Sequence, residues 1–232
     1  MMKKDRMNHA DRMVIFRDKV DIYPVSCQRL ARDRSDSEWL DAVLRGGARI
    51  VQLRDKESSD RELLAKARYF REKTRQAGAL FLVNDRVDIA LLSGADGVHL
   101  GQDDLPPGEV RRIAPEMIIG LSCNTEEQAG QIGEMARKSD CPISYYNIGP
   151  IYPTGTKEGL KKFLGPGAIK RFSACSNLPF TVMGGIKKGH IAELVTAGAR
   201  RIAVVTAITA ADDMAAATAE LGRLIRTAAG EE

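Results

Sequence analysis

ALFLVNDRVDIALLSGADGVHLGQDD, residues 79–104, holds two short apolar runs, each ending in polar residues, with a helical segment between them. ALFLV and DGVHL are apolar almost throughout, as strands covered on both faces are, and VDIALL is the helix that joins them. A strand, a crossover helix and a second strand form a parallel pair. The two polar ends, Asn84-Asp85 and Gln102-Asp103-Asp104, then fall at neighbouring strand ends.

The same alternation extends in both directions. DIYPVS, ARIVQLR, MIIGLS, ISYYNIG, PFTVMG and RRIAVVT add six further runs, and helix-like segments separate them. Leu63, Ala67 and Phe70, and again Met214, Leu221, Leu224 and Ile225, recur at helical spacing. Ser35-x-x-Glu38, Ser59-x-x-Glu62 and Asn124-x-x-Glu127 each set a capping oxygen ahead of an acid that can reach back, and Gly46-Gly47 and Gly78 supply stops. Eight strand-helix units are the count of a (β/α)8 TIM barrel. A doubly wound open sheet needs a phosphate-binding turn early in the chain, whereas the first strand here is followed by CQRLARD.

Size and composition agree with one α/β domain: 232 residues, 44% hydrophobic and 5% aromatic. The expected division is an N-terminal extension over 1–19, a solvated arm or short helix without a catalytic part, and a barrel catalytic domain over 20–232. The formal net charge is +4 with 28% charged residues, but no Lys/Arg stripe interleaved with aromatics marks a nucleic-acid face. Anionic small molecules remain suitable partners. Cys27, Cys123, Cys141 and Cys175 form no CxxC pair, which argues against zinc or redox chemistry and for a reduced, cytoplasmic setting. No apolar run reaches the roughly 20 residues that span a bilayer, and MMKKDRMNHADRMV lacks the apolar middle of a signal peptide.

A barrel of this kind keeps its chemistry at the C-terminal strand ends. Gln52, Arg54 and Lys56 share one strand face and can point together into the barrel mouth. Asp85 and Asp104 can share a hard cation such as Mg2+, which takes one or two carboxylates plus phosphate oxygens. The competing reading makes them helix caps, Asp85 for VDIALL and Asp104 for a helix starting near Pro106. His99 fits a hydrogen-bonded core histidine as well as a catalytic one. Lys157 sits in a long Pro-, Gly- and Thr-rich loop with the character of a lid. Gly184-Gly185, with the end of the eighth strand, resembles the barrel's monophosphate site.

VQLRDK, FLVNDRVDIAL, ADGVHLGQDD, IGLSCNT, GPIYPTGTK, VMGGI and VVTAIT occur in an order that resembles the thiamine-phosphate synthase family, over about residues 20–227. The resemblance implies a (β/α)8 barrel that condenses 4-amino-2-methyl-5-hydroxymethylpyrimidine diphosphate with 4-methyl-5-(2-phosphooxyethyl)thiazole. The products are thiamine phosphate and diphosphate, formed by a dissociative, Mg-assisted route. It implies Asp85 and Asp104 as the metal ligands and leaves Asp103 out. Gln52 and Asn84 would hold the pyrimidine, and Arg54, Lys56, Ser122 and Lys157 the diphosphate. Thr154 and Thr156 would meet the thiazole phosphate, with backbone donors from Gly185 and the turn Thr206, Ala207 and Ile208, while His99 lines the site.

Two departures from the family pattern stand out: the first strand, IYPVSCQRL, lacks a polar ending and contributes no expected site residue, and the segment RKSDCPISYYNIGP, 137–150, is longer. A thiazole tautomerase of the same superfamily and a non-catalytic thiamine-precursor-binding regulator are the alternatives, and a homodimer stays open. Retention of Asp85, Asp104 and Lys157 favours the synthase.

Overall fold

The computed structural model describes residues 7–31, 33–155 and 162–231. All eight expected strands form: β1 (Ile22–Pro24), β2 (Ile50–Leu53), β3 (Leu80–Asn84), β4 (Gly97–Leu100), β5 (Ile118–Cys123), β6 (Tyr145–Ile148), β7 (Phe180–Val182) and β8 (Ile202–Val204). They pair in parallel in the order β1-β8-β7-β6-β5-β4-β3-β2. A parallel bridge from Val25 to Gln52 and a 2.9 Å bond from Ser26 N–H to the Gln52 carbonyl join β1 back to β2. The sheet is thus a barrel, and no helix among the described residues is long and apolar enough to cross a membrane.

Around it run α2 (Asp36–Arg45), α3 (Asp60–Ala77), α4 (Val87–Ser93), α5 (Pro107–Ile113), α6 (Glu126–Ala136), α7 (Gly167–Ser173), α8 (Ile191–Thr196), the short α9 (Thr206–Thr209) and α10 (Met214–Ala229). Ser35 and Ser59 close the expected capping boxes with Glu38 and Glu62. The third cap is displaced by one residue. Thr125, not Asn124, caps α6, because Asn124 turns inward and its side-chain N–H bonds the Gly149 carbonyl at 2.6 Å. Outward-facing strand residues pack with the helices, as where Trp39 stacks on Phe70 at 6.1 Å and Phe70 meets Phe81 at 5.8 Å. Inward-facing Ile50, Leu80, Leu82, Ile118 and Ala203 fill the barrel's lower half.

The N-terminal extension takes the helical form of the two expected, but packed and not solvated. Residues from 9 to 18 form a capped helix, α1 (His9–Asp18), that closes the barrel's N-terminal end rather than lying in solvent. Met13 and Phe16 complete the interior cluster, and the Phe16 ring lies 4.6 Å from that of Tyr145. Arg12 reaches the fully buried Asp96 at 3.1 Å, and Arg71 meets the other carboxylate oxygen at 2.6 Å. Asp96 also accepts the Phe81 N–H at 3.0 Å, so the buried charge is paired and hydrogen-bonded. The sequence hid this because polarity and burial do not coincide along the short helix: Arg12 is buried and Val14 exposed, so Met13 and Phe16 look isolated.

Phe16→Ala should therefore lower unfolding stability by about 3–5 kcal/mol, the usual cost of truncating a buried aromatic, as measured by urea denaturation. A loss below about 1 kcal/mol would show that α1 is not part of the cooperative core.

Candidate active site

Parallel strands ending at one rim leave a cavity of about 430 Å³ at the C-terminal mouth. Inward alternation along β2 brings Gln52, Arg54 and Lys56 to its wall, as their two-residue spacing requires. Ser26, on the neighbouring seam, takes the Arg54 N–H on its hydroxyl at 3.0 Å and so fixes the backbone from which that guanidinium extends. Asn84, Asp85, His99, Asp104, Ser122, Thr154, Gly185 and Thr206 line the same cavity. Ala207 and Ile208 do not. The Ile208 side chain is wholly buried, and its N–H bonds the Val205 carbonyl at 3.2 Å. Thr156 and Lys157 lie outside the described residues.

The two carboxylates do not cap helices. Asp85 adopts a left-handed backbone, φ 61°, immediately after β3, with its N–H on the His99 carbonyl at 2.8 Å. That turn carries its carboxylate toward Lys56, 3.0 Å away, and into hydrogen-bond contact with Asp104. Asp104 is anchored by the Gly101 N–H at 2.6 Å. Desolvation, and then the proximity of Asp85, raise the Asp104 carboxyl above the ordinary range. Two acids pressed together under a lysine suit a divalent cation, whose charge would remove their repulsion. Among the described residues no third metal-ligating side chain joins them, leaving coordination positions for water or phosphate oxygens. Asp103 is exposed at the edge of the same cavity.

The cavity floor contains residues that the sequence reading missed. Tyr23 reaches it from β1, the strand expected to contribute nothing, and Tyr145 and Asn147 come from β6 and Thr181 from β7. Asn147 donates its side-chain N–H to Thr181 at 2.6 Å. Gln52 bonds the Tyr23 hydroxyl at 2.8 Å, the two tyrosine hydroxyls lie 3.2 Å apart, and Tyr145 meets His99 Nδ1 at 2.8 Å. His99 Nε2 then meets the Ser122 hydroxyl at 3.1 Å. Burial pulls the His99 imidazole down to about 4 and pushes both phenols up, so this floor is neutral. Period-two counting along β6 itself, which sets Tyr145 and Asn147 on one face and Tyr146 and Ile148 on the other, is the signal that could have exposed them.

Gly184 and Gly185, both at positive φ, follow β7. A Cβ on Gly185 would fall 2.3 Å from the Pro153 carbonyl oxygen, and one on Gly184 2.6 Å from Pro150 Cα. The glycines thus let the β6 loop bearing Thr154 press against the end of β7.

The family model described as thiamine monophosphate synthase matches residues 22–208. The chain is 38% identical over 212 residues to the thiamine-phosphate synthase of Methanoculleus marisnigri, covering 91% of this chain and 98% of that one. Against the thiamine-phosphate synthase of Haloquadratum walsbyi it is 40% identical over 212 residues, covering 90% and 92%. Among solved structures, thiamine phosphate pyrophosphorylase from Pyrococcus furiosus superposes with a TM-score of 0.82 at 31% identity, covering 92% and 98%. A 3-hexulose-6-phosphate synthase shares the fold alone, with a TM-score of 0.61 at 15% identity over 88% and 99%.

A carboxyl raised in the folded state contributes most when protonated, below its unfolded value, and loses that contribution as pH rises through the folded value. In a chelator, Asp104→Asn should therefore melt above the wild type at pH 7, and the gap should close as pH falls through the carboxylate range. Thermal melts at pH 4 and pH 7 check this. A mutant that melts lower at both pH values would show that the pair carries no repulsive cost.

Proposed function

This chain belongs to the thiamine monophosphate synthase family, and from that premise we propose that its cavity joins the pyrimidine diphosphate to the thiazole phosphate by a dissociative, magnesium-assisted displacement. The chain is a transferase that forms thiamine phosphate. The observation that carries the finer reading is the contact between Asp85 and Asp104 at a rim that also bears Arg54 and Lys56.

In this reading Gln52 and Asn84 hold the pyrimidine over the neutral floor, with its diphosphate toward the rim. Magnesium held by Asp85 and Asp104 would supply positive charge to the diphosphate oxygens. Arg54 and Lys56 add fixed cationic donors, and Ser122 a hydroxyl donor, where negative charge grows as the carbon–oxygen bond breaks. Each such donor typically contributes about 3 kcal/mol to lowering the barrier. The aminopyrimidine stabilises the carbocation, so no protein nucleophile is required, and the thiazole nitrogen then attacks it. Thr154, Gly185 and the N–H group at Thr206 face the thiazole phosphate. Thr156 and Lys157 join these groups by the family resemblance, Lys157 acting on the diphosphate and its loop excluding water that would trap the cation.

Purified protein given both substrates and magnesium should release thiamine phosphate and diphosphate, and a chelator should stop it. Asp85→Ala and Asp104→Ala should each abolish most affinity for the pyrimidine diphosphate, whereas Asp103→Ala should weaken it less. Calorimetric titration and steady-state kinetics read both quantities. Equal losses at Asp103 and Asp104 would overturn the metal assignment, and binding without turnover would leave only a regulator.

A further inference from the structure

The five linked side chains of the floor come from five strands: Gln52, Tyr23, Tyr145, His99 and Ser122. Their hydrogens can be followed in one direction. The Gln52 amide nitrogen only donates, so it fills an acceptor position on the Tyr23 hydroxyl. Tyr23, buried beyond reach of solvent, then has the Tyr145 oxygen for its own hydrogen. Tyr145 in turn gives its hydrogen to His99 Nδ1. A neutral imidazole with an accepting Nδ1 carries its proton on Nε2, which donates to the Ser122 oxygen. The reverse order would leave the Tyr23 hydrogen facing a donor in a dry interior.

We propose that Tyr23 and Tyr145 are positioning residues that hold the His99 proton on Nε2, so that the Ser122 hydroxyl hydrogen is kept free for the departing diphosphate. Among the described residues, the bond to His99 is the one the Ser122 hydroxyl makes. Were Nδ1 to carry the proton, Nε2 would become an acceptor and draw that same hydrogen away from the ligand. The ring of Tyr145 is built into this place. A Cβ on Gly120 would fall 2.3 Å from its Cζ, so a glycine on β5 makes room for it, and Phe16 supports its other side. The inference rests on the reading that diphosphate lies against Ser122.

Nitrogen-15 spectra of the histidine-labelled wild type, with His99 assigned by comparison with His9→Gln and His190→Gln, should show Nε2 protonated and Nδ1 bare. Protonation on Nδ1 overturns the proposal without any variant. Tyr145→Phe keeps the ring and removes the hydroxyl. It should mix the two tautomers and lower turnover by roughly tenfold, while the Michaelis constant for the pyrimidine diphosphate changes less than about threefold. Tyr23→Phe should also mix the tautomers, and serves if Tyr145→Phe does not fold.

Because Tyr145 acts through Ser122, adding Tyr145→Phe to Ser122→Ala should slow turnover no further. Additive losses, or a loss confined to the Michaelis constant, would make the tyrosines structural only. Failure of the wild type to turn over the two substrates would instead overturn the proposed function. The relay would then be judged by the spectra and by inorganic pyrophosphate with magnesium, whose binding should weaken in both Ser122→Ala and Tyr145→Phe.

Discussion

The seam between β1 and β2 is the constraint on which the rest depends. Closure there removes both edges of the sheet at once, and with them two rows of unpaired backbone N–H and C=O groups. Here closure falls on Gln52. Its carbonyl takes the Ser26 N–H, and its side chain, one of the few buried polar groups, turns inward to Tyr23. Ser26 then fixes the Arg54 backbone through its hydroxyl. The residue that makes the sheet a barrel therefore sets the first two groups of the cavity wall, which links stability of the fold directly to geometry of the site.

Once the barrel closes, the rim gains its precision from backbone conformations that would be costly elsewhere. Asp85 in the left-handed region carries a strain of about 1–3 kcal/mol, less for an aspartate than for a branched residue. Its N–H continues the β3–β4 ladder onto the His99 carbonyl, so the strain is held by the sheet and not by a mobile loop. The result is a carboxylate aimed at Asp104 and Lys56. On the opposite wall Gly184 and Gly185 accept positive φ without strain and let two backbones approach closely. One wall thus concentrates charge while the other presents backbone.

The strand count, the barrel and the rim residues were legible because each strand ends at a sharp change from apolar to polar side chains. The floor was less so. Strands covered on both faces are apolar at nearly every position, and the alternation that separates inside from outside is erased. Tyr23 and Tyr145 consequently resemble core aromatics until the fold brings their hydroxyls onto Gln52 and His99. The exchange of Asn124 for Thr125 at the α6 cap has a different origin: both residue types cap, and only the tertiary bond to Gly149 decides between them. The burial of helix α1 was missed because it comes from the open end of the barrel and not from the helix's own pattern.

That end plate completes the physical account of the site. A barrel interior must be filled, and below the rim it is filled by aliphatic side chains and by Phe16 rising from α1 against Tyr145. Tyrosine suits this boundary since its ring packs like a hydrocarbon while its hydroxyl serves the layer above. Burial raises the phenols and lowers His99, so the polar layer stays uncharged across the neutral range. An added charge in that low-dielectric layer would act strongly on anything bound above it. With a neutral floor, the field at the mouth is set by Arg54, Lys56, Asp85 and Asp104.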